Sequence, residues 1–149
     1  MTAKAGYSTP SLHVADVARS LRFYELLGFE TIDTDGEGGR PPTWARMHCE
    51  GGALMFLKTE VEERVPLPGS GPDRFLLYMY TPDPPGLRDH LVAGGVEVPP
   101  IQYPEYMSSG EIMLKDPDGH VVLVGHWGKP EHEAWEKRLG EKKKSAPGT

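Results

Sequence analysis

Slid against itself by 67 residues, the chain repeats its punctuation. Asp16 falls on Asp83, Gly28 on Gly95, Glu30 on Glu97 and Gly52 on Gly119, with no gap between Asp16 and Gly52. Few identities survive the shift, but the coincident positions are those that start and stop helices. An aspartate caps a helix by accepting from the backbone N–H groups two or three residues on. A glycine ends one in the left-handed conformation. The repeat therefore predicts two copies of one element order, strand–helix–strand–strand–strand. The length, 149 residues, fits one domain or two fused half-domains.

The first copy reads as follows. Ser8 to Val14 is extended. Val17, Leu21, Tyr24 and Leu27 recur at i, i+4, i+7 and i+10 and predict a helix face, ended by Gly28. FETID is a strand, DGEGGRPP a loop, TWARMHC a strand, EGG a turn and ALMFLKTE a strand. EVEERVPLPGSGP is charged, then rich in Pro and Gly, and reads as a linker. In the second copy RFLLYMYT is a strand. Asp83 caps a helix with Pro84 at its first position and Leu87 and Leu91 on its face. VEVPP is a strand, IQYPEYMSSG a loop, EIMLK a strand, DPDG a turn and HVVLVGHW a strand. A short helix carrying His132, Trp135 and Leu139 on one stripe follows, then KKKSAPGT as a frayed tail. The expected organisation is a single domain over 1–149: module one about 7–60, a linker about 61–72, module two about 73–127, and a C-terminal helix about 129–142 with its tail. The 18 glycines and 15 prolines suit many short strands joined by turns.

Charge and cysteine content exclude several classes. The formal net charge of −6 lacks the basic face that phosphate neutralisation needs, so no nucleic-acid partner is expected. Cys49 is the single cysteine, which rules out an intrachain disulfide and a four-cysteine zinc site. No apolar run reaches the roughly 18 residues of a membrane span. The opening MTAKAGYSTPSLHV lacks the apolar core of a secretory signal, so a cytoplasmic protein with no membrane partner is expected.

Two segments carry a resemblance. TPSLHVADVARSLRFYELLGF contains D-x-x-x-S-x-x-F-Y at Asp16, Ser20, Phe23 and Tyr24, and LKDPDGHVVLV contains D-P-D-G at Asp116 to Gly119. Over about residues 7 to 127 the chain resembles the glyoxalase/bleomycin-resistance/dioxygenase superfamily, also called vicinal oxygen chelate. The resemblance implies an α+β fold of two βαβββ modules forming curved mixed sheets around a cleft, in dimers or double-module monomers. Metal-dependent members place ligands on the first and last strands of each module, which map to Thr9, Phe56, Leu76 and Leu123. Phe and Leu offer no N, O or S donor. The expectation is therefore the metal-free, bleomycin-resistance-like branch, with no metal and no cofactor.

Side chains alternate along a strand. Counted from the DPDG turn, Val121 and Leu123 face the cleft, with Glu111, Met113 and Lys115 on the preceding strand. The repeat adds Trp44, Arg46 and His48 beside Phe56 and Lys58. The first strand offers Thr9, Ser11 and His13, and the fifth Leu76, Tyr78 and Tyr80. Trp44 is a stacking plate for a flat ligand or a core or interface residue. Arg46 holds an anionic ligand or pairs with Glu111, which is itself a general base or that partner. His13 and His48 shuttle protons or are structural. His120 and His126 face the other way, and with His48 and Glu50 they form no compact ligand motif. Cys49 has no evident base. Tyr103, Tyr106 and Met107 cover the cleft mouth or pack on a neighbouring subunit. The expected function is a metal-free small-molecule-binding protein, drug-sequestering, working as a homodimer. Its aromatic ligand would meet Trp44, Arg46, Phe56, Tyr78, Tyr80, Tyr106, Glu111, Met113 and Leu123. The alternative is a lyase, isomerase or dioxygenase-type enzyme of the same superfamily using His13, His48 and Glu111, with or without a divalent metal. A third reading is an interaction domain with a vestigial cleft.

Overall fold

Asp16 lies in extended backbone and its side chain accepts from the Arg19 N–H, so that helix α1 (Val17–Leu26) begins behind it. Asp83 does the same for the Gly86 N–H at the head of helix α2 (Pro84–Ala93), with proline in the first turn, where its missing N–H is harmless. Both ends of the two helices stand 67 residues apart (84 − 17 and 93 − 26). Gly28 and Gly95 follow them at φ 99° and 87°, backbone that a side chain would strain. The computed structural model describes residues 3, 5, 8–59 and 76–145; the expected linker at 61–72 lies outside them. The fold is α+β, and the chain divides into two compact units. The first gathers the chain up to Leu76 with Lys115–Val121, and the second Leu77–Leu114 with Val122 onward.

The first unit holds strands β1 (Ser11–Val14), β2 (Glu30–Thr34), β3 (Trp44–Cys49) and β4 (Gly52–Lys58) in the order β1-β4-β3-β2. β1 runs parallel to β4, and β3 antiparallel to both its neighbours. One sheet face is buried through Leu12, Val14, Ala45, Met47, Leu54 and Phe56. α1 packs on this sheet, with the Tyr24 ring 5.1 Å from Phe56 and 5.9 Å from Phe29. The buried side chains of α1 are Val17, Ser20, Phe23 and Tyr24, which rotates the expected face away from Leu21 and Leu27. Leu27 is the C-cap and lies beyond the last helical turn. Ser20 can be buried because its hydroxyl bonds the Asp16 carbonyl at 3.3 Å, so no polar atom is stranded.

The DPDG turn belongs to this first unit. Asp116 Oδ1 accepts from the Asp118 and His120 N–H groups, both at 2.9 Å, which closes the turn. Its Oδ2 accepts the buried Tyr24 hydroxyl at 2.8 Å. Asp118 Oδ1 accepts from Ala15 N–H at 2.8 Å and Arg19 Nη2 at 3.4 Å. His120 Nε2 donates to the His13 carbonyl at 2.9 Å. The two sequence motifs that carried the resemblance are thus each other's hydrogen-bond partners.

The second unit holds strands β5 (Leu76–Thr81), β6 (Glu111–Lys115) and β7 (Val121–His126) in the order β5-β7-β6, with a core of Leu91, Val98, Ile112, Leu114, Val122 and Val124. The strand expected at VEVPP does not form. Pro99 and Pro100 have no N–H to offer a ladder, and the Arg88 guanidinium takes the carbonyls of Val98 and Pro99 at 2.9 and 3.0 Å. One antiparallel bridge, Gln102 to Glu111, forms instead in the segment expected to be a loop. Helix α3 (Lys129–Ser145) extends past the expected end at 142. Lys142, Lys143 and Lys144, expected in a frayed tail, form its last turn, where positive charge complements the helix dipole. The helix buries none of its side chains, and Trp135 and Leu139 stay exposed.

Candidate functional site

Each sheet buries one set of alternating side chains and leaves the other more open. On the four-stranded sheet, burial alternates along β3: Ala45 and Met47 point inward, while Trp44, Arg46 and His48 lie half-buried on the other side, as the alternation predicts. Ser11 and His13 share that side on β1. Strand register sets His13, Leu57 and Trp44 in one row across the sheet, and Ser11, Met55 and Arg46 in the next.

Phe56 is a correction. It is fully buried against Tyr24 of α1, and the β4 residues on the open face are Ala53, Met55 and Leu57. The cause is one residue in a turn. Two residues, Glu50 and Gly51, separate the paired Cys49 and Gly52. Three separate Asp116 from His120, whose backbone bond closes the other turn at 2.8 Å. The left-handed glycines are Gly51 and Gly119, at φ 83° and 87°. Beyond these turns the repeat offset is therefore 68, and Met55, not Phe56, is the counterpart of Leu123.

The polar groups of this face are tied together. Arg46 Nε donates to His48 Nε2 at 2.8 Å, so this imidazole nitrogen is the acceptor and Nδ1 carries the proton. Arg46 Nη2 donates to Thr9 Oγ1 at 3.0 Å, and Nη1 lies 3.9 Å from Met55 Sδ. His13 Nδ1 meets Thr59 Oγ1 at 2.7 Å. Trp44 is held from behind by Asp35, whose carboxylate accepts the N–H groups of Thr43 and Trp44 at 2.8 and 2.9 Å and the Thr43 hydroxyl. That hydroxyl, followed by those two N–H groups, keeps the Asp35 carboxyl below its usual range.

These residues do not fit the divalent metal of the metal-dependent relatives. With the corrected register the four positions are Thr9, Met55, Leu76 and Leu123. Two are hydrocarbon, one is a thioether, and the Thr9 hydroxyl already accepts from a guanidinium, whose charge repels a cation. Among the described residues no group of three or more His, Cys, Asp or Glu is placed to hold an ion. His126 Nδ1 instead meets Glu131 Oε1 at 2.9 Å. Burial pushes the Cys49 thiol up, which keeps its thiolate scarce.

In the second unit, Glu111 is 6% exposed and its two carboxylate oxygens each accept a phenol: Tyr78 at 2.6 Å and Tyr106 at 2.8 Å. Tyr106 comes from a single 3-10 turn at Glu105–Met107 and is 70% exposed. Burial and then its hydrogen bond to Glu111 push the Tyr78 phenol up, and for Tyr106 its own hydrogen bond to Glu111 leads, so both stay protonated donors. Gly125 makes room for this. A Cβ there would stand 2.6 Å from the Tyr78 hydroxyl and 2.8 Å from Met107 Cε. The Tyr80 ring lies 5.2 Å from Tyr78, tilted by 51°, and the Trp127 ring 5.2 Å from Tyr80, tilted by 56°. Trp127 escaped the sequence reading, although it continues the alternation of Val121, Leu123 and Gly125. Its N–H donates to Thr81 O at 2.9 Å, which extends the strand's reach past His126. Met113 is exposed and Leu123 half-buried.

Solved structures share this fold. TnmS3, an antibiotic binding protein from Streptomyces sp. CB03234, is 19% identical at a TM-score of 0.62, over 85% of this chain and 100% of that one. A bleomycin-binding protein complexed with bleomycin is 19% identical at 0.59, over 83% and 100%. The fosfomycin resistance protein FosX from Listeria monocytogenes is 14% identical at 0.64, over 87% and 98%. No curated protein matches the chain. No helix among the described residues is long and apolar enough to cross a membrane. The family model described as Glyoxalase/Bleomycin resistance protein/Dioxygenase superfamily matches residues 7–124, and the chain belongs to that superfamily.

Proposed function

We propose that the chain binds a small, flat, aromatic molecule without a metal and sequesters it. The observation that carries this reading is the Arg46–His48 hydrogen bond. The guanidinium occupies the imidazole lone pair that a general base would need, and leaves Trp44 with Leu57 beside it as a plate for stacking. The relatives described as binding bleomycin or an antibiotic support the same reading. The working form we propose is a cytoplasmic homodimer, in keeping with a lone cysteine and exposed apolar side chains on both sheets, Leu57 and Met113 among them.

The test is a fluorescence titration with anthracycline and acridine dyes. Trp44→Ala should weaken binding by about 1–3 kcal/mol, the range for a lost aromatic contact, while Trp44→Phe retains most of it. The melting temperature should hold, because Trp44 lies off the buried face. Unchanged affinity in Trp44→Ala would remove Trp44 from the site. Unfolding would make it structural.

A further inference from the structure

Glu111 is a nine-tenths-buried carboxylate whose partners are both neutral. Among the described residues of its own unit its hydrogen-bond partners are the two phenols and, through the backbone, Gln102, and no lysine, arginine or histidine of that unit pairs with it. Burying an anion without a counter-charge is costly, and phenol hydrogen bonds offset only part of that cost. Next to it runs a line of three rings, Tyr78, Tyr80 and Trp127, with Tyr80 54% exposed. Aromatic faces carry negative potential and attract cations. On the outer side stands Tyr106, mostly in solvent, which can swing off Glu111 at the loss of one hydrogen bond.

We infer that the Glu111 cluster recognises an organic ammonium group, the charged end of an amine ligand. The carboxylate supplies the missing opposite charge and the rings supply the walls. A metal cation would be poorly served, since hard ions need several oxygen or nitrogen ligands and the described residues bring no group of three or more His, Cys, Asp or Glu together. A compact ammonium needs one anion and aromatic faces, which are what the cluster has. The net charge of −6 draws such a ligand in. The inference rests on the small-molecule reading above and adds the ligand's charge to it.

Choline and its neutral isostere 3,3-dimethylbutan-1-ol separate the two ideas, titrated calorimetrically against the full chain. Choline should bind at least about tenfold tighter, equivalent to roughly 1.4 kcal/mol. Glu111→Gln should abolish that preference. Tyr80→Ala, which removes a hydroxyl that makes no hydrogen bond among the described residues, should weaken choline several-fold at unchanged melting temperature. It keeps the inference testable should Glu111→Gln fail to fold. Equal binding of choline and the alcohol would overturn ammonium recognition and leave small-molecule binding standing. Binding of neither would also overturn ammonium recognition, while the dye titration against Trp44 decides small-molecule binding separately.

Discussion

The Tyr24 hydroxyl is buried and reaches Asp116, 92 residues away in the chain. Tyr24→Phe removes the donor and leaves a buried carboxylate oxygen short of a partner, so it should cost about 1–3 kcal/mol in a urea titration. The phenol also sets a pH dependence. Burial first, and then the Asp116 charge, push it far above its ordinary value near 10. A group raised in the folded state contributes stability that is complete below its unfolded pKa and is lost as pH climbs toward the folded one. Stability should therefore fall above about pH 10, and the fall should be shallower in Tyr24→Phe. An identical alkaline slope in the two proteins would take Tyr24 out of the effect. Single residues were legible where alternation ran unbroken. Trp44, Arg46 and His48 fell on the open side because β3 has no bulge. Phe56 did not, because one residue fewer in the Glu50–Gly51 turn shifts every later side chain to the other face. The Tyr78–Glu111–Tyr106 contacts were hidden for another reason: Tyr106 arrives from a loop, where no period applies.

Among the elements, α3 depends on its first turn. Glu131 accepts from the Gly128 N–H at 3.0 Å through Oε2 and holds His126 through Oε1. A glutamate near the start of a helix that reaches back to the preceding N–H makes half of a capping box. Its own N–H, then the Gly128 N–H, then the His126 charge lower its carboxyl below the ordinary 4.5. With a lowered folded pKa, the stabilisation is full above about 4.5 and vanishes as pH falls through the folded value. Helicity of α3 should therefore decline in acid, and Glu131→Gln should show much of that loss already at neutral pH by circular dichroism. Equal helicity of the two proteins at neutral pH would show that the cap does not matter. Both capped helices were legible at their starts, since Asp16 and Asp83 act within three residues. The missing strand at VEVPP was not. Its prolines were visible, but the Arg88 side chain that claims its carbonyls comes from the neighbouring helix.

At the scale of the whole molecule, β2 is an edge strand with every residue exposed, Ile32 among them, and a bulge between Thr31 and Asp33. Bulges blunt an edge against further pairing, so apolar sheet faces are the better surface for a second copy. Sedimentation at micromolar concentration should give a dimer mass. A monomer mass would end the homodimer proposal. The DPDG turn has a different consequence, for the order of synthesis. α1 and β1 are made early, yet the acceptors for Tyr24, Ala15 and Arg19 sit at Asp116 and Asp118. The chain must leave its first unit, build most of the second, return through Lys115–Val121, and leave again for β7. A nascent chain halted after β4 thus carries the helix without its anchor, and the first unit stays unfinished on the ribosome until the last strand is already emerging.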